Sequence, residues 1–346
     1  MSLYDISWKV SEEEYRADNA LSYSTLATYK RGGFQCLPHL FDKKDSPALT
    51  FGSAVDAILT GGRKEFNERF VVCEFPQISD SLKEVALCLF NRYKDQYKQF
   101  KSIPEDVLAD VGEECNYYRD NKYRNVRIKK IKEECPPYYE LLVNNEGKTV
   151  LDNATYEEVL KAVTSLRSDP ATKDYFIGTP FDKVERFFQL KFKAKLQGVE
   201  YRCMADLLVV DNEKKVIYPI DLKTTGKAEY DFHKSFIDWD YQIQARLYWR
   251  IIRDNLDRSE EFKDYELKDF TFVVVSRVTC NPLRWTYIDT RKEGTLHYGK
   301  NGQIECLDPF AIGKELHTYL KSKRTLPIGV EKLKNNDIVE HLMEME

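Results

Sequence analysis

From Val184 to Lys195 the chain alternates. Phe188, Leu190, Phe192 and Ala194 fall on one side and Gln189, Lys191, Lys193 and Lys195 on the other, which is the two-residue period of a half-buried strand. Gly198 marks a turn into the apolar run Tyr201 to Val210, and Asp211 to Lys215 a second turn into Val216 to Lys223, so three consecutive strands are predicted. Upstream, residues 20–60 read as two short helices, one opening at Leu21-Ser-Tyr-Ser-Thr-Leu with Ser22 or Ser24 as N-cap, the other around Phe51-Gly-Ser-Ala-Val-Asp56. Residues 75–175 are helical and strongly charged, with a Thr155-x-x-Glu158 capping box, and predict a helical insertion or arm. Downstream, the pattern predicts a long helix over Phe232–Asp254, a buried strand over Phe270–Arg277 and a last helix over Pro309–Lys323. The order β-β-β-α-β with flanking helices is an α/β core with an α-rich extension. The expected organisation is one domain over residues 1–346: N-terminal helices at 20–60, an insertion at 75–175 and the α/β core at 180–325.

Two residues break the apolar pattern. The second strand is apolar from Cys203 to Val210 except at Asp206, and the third from Val216 to Leu222 except at Asp221. A carboxylate inside such a strand is costly unless it is paired or binds a metal. Asp221 and Lys223, two apart, project from one side of their strand, and a hairpin with a short loop can bring residue 206 beside residue 221. Two carboxylates and an ammonium would then converge, a constellation suited to metal-assisted phosphodiester hydrolysis with Mg²⁺, or Mn²⁺ in its place. The plain alternative is a salt bridge between Lys223 and an aspartate at a sheet edge.

Composition narrows the picture. Charged residues make up 32% and hydrophobic ones 42%, as in a globular protein, and the net charge of −4 argues against holding nucleic acid by bulk charge. No stretch reaches the roughly 20 apolar residues of a membrane span and residues 1–19 carry no apolar signal segment, so a cytoplasmic location is expected. The eight cysteines contain no C-x-x-C pair, and no Gly-x-x-x-x-Gly-Lys phosphate loop is present.

Asp206, then Ile220-Asp-Leu-Lys-Thr-Thr225, then Tyr241-Gln-Ile-Gln-Ala-Arg-Leu-Tyr248 resembles the PD-(D/E)XK nucleases, in particular the RecB-like and exonuclease VIII-like exonucleases. Gln244 and Tyr248 match that branch's Gln-x-x-x-Tyr motif, and their spacing puts both on one helix face. Leu21-Ser-Tyr-Ser…Pro38-His-Leu-Phe41 resembles the family's opening, and Phe51-Gly-Ser-Ala-Val-Asp56 its G-x-x-x-H helix. The resemblance covers residues 20–60 and 180–290. It implies a restriction-endonuclease-like α/β fold, a central mixed β-sheet flanked by helices. It further implies Mg²⁺ held by Asp206, Asp221 and the Leu222 carbonyl, Lys223 acting on the attacking water, and Gln244 and Tyr248 shaping the DNA-facing side.

Where the family often has a histidine ligand this chain has Asp56, either a ligand of harder character or a solvated residue on a surface helix. Glu185 is a further candidate ligand from the family pattern, although its parity puts it on the strand's polar face. The run Tyr117 to Lys132 holds seven Lys/Arg against one Asp with three tyrosines interleaved. Arg119, Lys122, Arg124, Arg127, Lys129 and Lys130 there are candidate DNA contacts, weighed against a solvated helix face. The expected function is a Mg²⁺-dependent DNA exonuclease acting on double-stranded ends in phage or bacterial recombination or repair. It would work with a single-strand annealing protein or other recombination factor, and as a homo-oligomer by analogy. An endonuclease, a single-strand or RNA nuclease, and a DNA-binding protein with a weakened site are the alternatives.

Overall fold

The computed structural model describes residues 2–41, 47–74, 78–178, 183–288, 294–298, 302–306 and 308–321. The chain packs as two compact units, residues 1–52 with 162–346, and residues 53–161.

The first unit is built on a six-stranded mixed sheet. Its strands β1 (Val184–Leu196), β2 (Val199–Asp211), β3 (Val216–Thr225), β4 (Thr271–Ser276) and β5 (Pro282–Thr286) lie in that order, and Glu266–Leu267 adds a short parallel pairing to β3. The β1–β2 and β2–β3 pairs are antiparallel, β3–β4 parallel and β4–β5 antiparallel. The β1–β2 hairpin closes through Gln197 and Gly198, both at positive φ, as a two-residue turn matched to strand twist requires. At the β2–β3 turn the Asp211 carboxylate accepts from the Glu213 and Lys214 N–H groups, 3.1 and 2.9 Å away.

Helices α1 (Tyr23–Gly32), α3 (Phe232–Asp238), α4 (Tyr241–Asp257) and α5 (Pro309–Lys321) supply the other side of the core, and α2 (Pro47–Thr60) runs from the first unit into the second. Ser22 is the N-cap of α1, its N–H donating to Thr25 Oγ1 at 2.8 Å. Phe192, Tyr201, Leu208, Ile243, Leu247, Ile251 and Phe272 form one buried cluster between sheet and helices. The long helix expected over 232–254 is two helices. The break is at Asp240, which sits in the left-handed region at φ 57° with no glycine or proline to announce it.

The second unit has its own core, with Leu82, Val85, Leu89, Phe90, Leu108, Ile131 and Tyr139 packed from the helices Asp80–Tyr93, Glu105–Glu114, Arg124–Glu134 and Pro136–Asn144. It also holds a parallel pair, Phe70–Val72 with Thr149–Leu151, that the helical expectation did not contain. Asp152 rather than Thr155 caps the following helix, its Oδ1 accepting from the Thr155 N–H at 2.6 Å. Residues 322–323, the expected end of the last helix, lie outside the described residues.

Candidate active site

The β2–β3 register pairs Leu207 with Ile220, the last pair of that ladder on this side. One step on, Asp206 and Asp221 stand across from each other, and residues directly opposite in an antiparallel pair share a face. The ladder does not continue because the Asp206 side chain replaces it: its Oδ2 accepts the Leu222 N–H at 2.9 Å. A strand residue's N–H and C=O point to the same edge, so the Leu222 carbonyl faces the Asp206 side as well. β3 is meanwhile held firmly from its other edge, where residues 220–225 pair with Thr271–Ser276 of β4. One carboxylate therefore stands at the mouth of a notch between two strands and the other, Asp221, sits on the rigid wall, only 2% exposed.

The remaining polar groups gather around Asp221. The Lys223 ammonium lies 2.5 Å from Asp221 Oδ2, and the ring centroids of Tyr241 and Phe272 are 4.7 and 5.9 Å from it. Burial opposes the charge on Lys223, but Asp221, with Tyr241 and Asp206 adding to it, outweighs that penalty and holds the pKa above the ordinary lysine value. Gln244 on α4 donates Nε2–H to Asp221 Oδ1 at 2.6 Å. The opposite amide orientation would set two acceptor oxygens face to face, so the orientation follows from an ionised Asp221. Tyr248, one turn further along α4, is buried with its ring edge-on to Phe270 at 6.1 Å. Burial pushes its hydroxyl well above the usual tyrosine range, as burial does for Tyr241 and for Tyr23 on α1, so all three enter as donors.

Asp206, Asp221, Leu222, Lys223, Gln244 and Tyr248 are thus brought together. Glu185 is not: it pairs with Val210, four residues along β2 from Asp206, and is exposed, with Asn212 Nδ2 donating to it at 2.7 Å. Asp56 lies on α2 in the second unit, partly buried, its backbone carbonyl accepting from Thr60 Oγ1.

Most of the basic run is neutralised within its own unit. Arg127 is 1% exposed and is a tie between helices, bonded to Glu113 at 2.9 Å and to the Tyr118 carbonyl at 2.6 Å, so as a surface DNA contact it is corrected. Arg124 pairs with Asp106, Lys122 with Asp120, Lys129 with Glu133 and Lys130 with Glu134, while Arg119 donates to Asn116 Oδ1.

One neighbour of the site was not foreseen. The β1–β2 ladder omits the pair Gln189 and Asp206, and Gln189 has φ 53° in the middle of its strand. A left-handed non-glycine residue in a strand costs on the order of 1 kcal/mol and is held only where the surroundings impose it. No side-chain pattern signals it.

Residues 32–290 match the family described as a PDDEXK-like domain of unknown function (DUF3799). The chain belongs to this PDDEXK-like family. A solved structure from Eubacterium rectale, provisionally named an exonuclease, overlaps 95% of the PDDEXK-like chain and 88% of its own, with 14% identity and a TM-score of 0.39. No curated protein sequence matches the chain.

The PDDEXK-like notch fits a hard divalent cation by its donor chemistry. The two carboxylates and the Leu222 carbonyl offer only oxygen, and one of these atoms, Asp221 Oδ2, is buried without a hydrogen bond. For Asp221 Oδ2 the Lys223 contact is an ion pair whose alignment is not that of a hydrogen bond, so the atom keeps acceptor capacity. Among the described residues no group of three His, Cys, Asp or Glu side chains converges, which leaves two carboxylates and a backbone carbonyl as the set.

Proposed function

We propose that the protein is a Mg²⁺-dependent DNA nuclease, acting from the ends of double-stranded DNA, with Asp206, Asp221 and the Leu222 carbonyl as metal ligands. The observation that carries this is the pairing of two strand carboxylates, Asp221 buried and Asp206 partly so, beside one ammonium, with carboxylate oxygen capacity left over on Asp221. A bound Mg²⁺ or Mn²⁺ would supply Lewis-acid polarisation of the phosphate and a more acidic water. The protein's own groups divide the remaining work. Gln244 fixes the Asp221 carboxylate in rotation, and β4 fixes the strand that carries it. Lys223, protonated because its pKa is raised, acts through charge: it orients the attacking water and stabilises negative charge on the phosphate rather than accepting a proton. Tyr241 and Tyr23 shield it from bulk water, which strengthens each interaction.

A recombination or repair role, a single-strand annealing partner and a homo-oligomer remain proposals of the resemblance. A DNA-binding protein with a weakened site is the second reading, favoured by the absence of a third converging acidic or histidine side chain among the described residues. End-labelled linear duplex, closed circular duplex and single strands, each incubated with Mg²⁺, separate these readings. Degradation of linear duplex alone supports the exonuclease. Cutting of circles makes the enzyme an endonuclease, and retention of DNA without cleavage of any substrate leaves the binding protein.

A further inference from the structure

The break between α3 and α4 presents a large aromatic side chain to solvent beside the site. Trp239 is 53% exposed, while Phe232 and Phe236 before it and Ile243 after it are buried. A single exposed apolar residue is ordinary. What distinguishes Trp239 is how firmly its backbone is held and what surrounds it. Its N–H donates to the Ser235 carbonyl at 3.1 Å, and its carbonyl accepts the Tyr23 hydroxyl at 2.5 Å. The next residue, Asp240, is left-handed, buried and pinned by Lys30 and by Gln242 Nε2. That conformation costs free energy and is over-determined by its partners, so the tryptophan is presented by a rigid corner rather than a loose loop.

The corner adjoins the catalytic ammonium. Tyr23 packs on Tyr241 at 6.1 Å between ring centroids, and Tyr241 is the ring under Lys223. Three cations surround the tryptophan's segment, and two are spent: Lys30 on Asp240 and Lys227 on Asp238. Arg31 is exposed and has no carboxylate partner among the described residues; its guanidinium lies 5.2 Å from the Trp239 ring and 3.5 Å from the Asp238 carbonyl.

An exposed indole on a firmly held backbone, with an uncompensated guanidinium beside it, is what a single-stranded nucleotide needs: a face for its base and a charge for its phosphate. We propose that Trp239 is a platform on which an unpaired base at the DNA end stacks, with Arg31 contacting the adjacent phosphate. This rests on the nuclease reading and names a positioning surface for it.

The test uses the full chain in chelator, so that binding is read without hydrolysis, with duplexes whose single-stranded tail carries 2-aminopurine. The wild type is expected to quench the probe by stacking. Trp239→Ala is expected to abolish the quench and weaken binding of tailed duplex roughly ten-fold. Trp239→Phe should keep most of both, and Trp239→Leu, which preserves apolar bulk and the corner, should lose them as the alanine variant does. Arg31→Ala should weaken binding and lower the salt slope by about one. Quenching and affinity unchanged in both Trp239→Ala and Trp239→Leu would overturn the proposal. The two readings fail separately: a wild type that quenches but never hydrolyses DNA with Mg²⁺ removes the nuclease reading alone, whereas normal hydrolysis with quenching indifferent to Trp239 removes the platform alone.

Discussion

Lys223 and Asp221 hold each other in place, and neither is well placed without the other. Asp221 is almost fully buried, and its counter-charge is 2.5 Å away on the same strand face. Removing one partner of a buried pair leaves the other uncompensated at a cost of about 3 kcal/mol. Lys223→Met, which keeps the stem and its packing on Tyr241, is therefore expected to lower unfolding free energy by about that amount without divalent metal. Mg²⁺ should restore more stability to this variant than to the wild type, because a cation at the carboxylates replaces the missing charge. Denaturant titrations with and without Mg²⁺ read this directly, and a variant as stable as the wild type in chelator would show that the pair is not interdependent.

At the scale of elements, the site depends on how closely helix and strand approach. A Cβ built on Gly52 of α2 would come within 2.9 Å of Thr224 Oγ1, and Thr224 adjoins Lys223 on β3. Gly52→Val is expected to part the helix from the strand at a cost of about 1 to 3 kcal/mol and to reduce hydrolysis with it. Wild-type melting and wild-type rates in that variant would show that α2 does not rest on β3. The first three strands of the sheet were legible in the sequence because the alternation and the turn residues agreed, and the placing of residue 206 beside 221 followed from the hairpin they imply. Gln244 was legible through the resemblance to the Gln-x-x-x-Tyr motif, whose i, i+4 spacing puts both residues on one helix face. What escaped had no periodic signature. Asp240 and Gln189 are single left-handed residues, and the strands Phe70–Val72 and Thr149–Leu151 are too short to show a period. Arg127 looked like surface charge because its partner Glu113 comes from a different helix, which no spacing along one helix reveals.

For the molecule as a whole, the buried tyrosines set an alkaline limit. Burial raises the folded-state pKa of Tyr15, Tyr23, Tyr201 and Tyr248 above the value of about 10 of an unfolded chain. Between those two values the unfolded chain has released protons that the folded chain retains, so stability falls as pH rises. Lys223, also raised, adds to the fall in the same direction. Stability is expected to be insensitive to these groups below about pH 10 and to drop steeply above it. Denaturation midpoints across the alkaline range check this, and midpoints as high above about pH 10 as below it would contradict it.

The most direct measurement is the initial rate of hydrolysis of end-labelled linear duplex with Mg²⁺ by the wild type and by Asp221→Asn, which keeps the side chain's size but removes its charge. The two-aspartate site predicts cleavage by the wild type that stops in chelator and falls more than about 100-fold in the variant. Equal rates from the two proteins, or cleavage that persists without divalent metal, would contradict it.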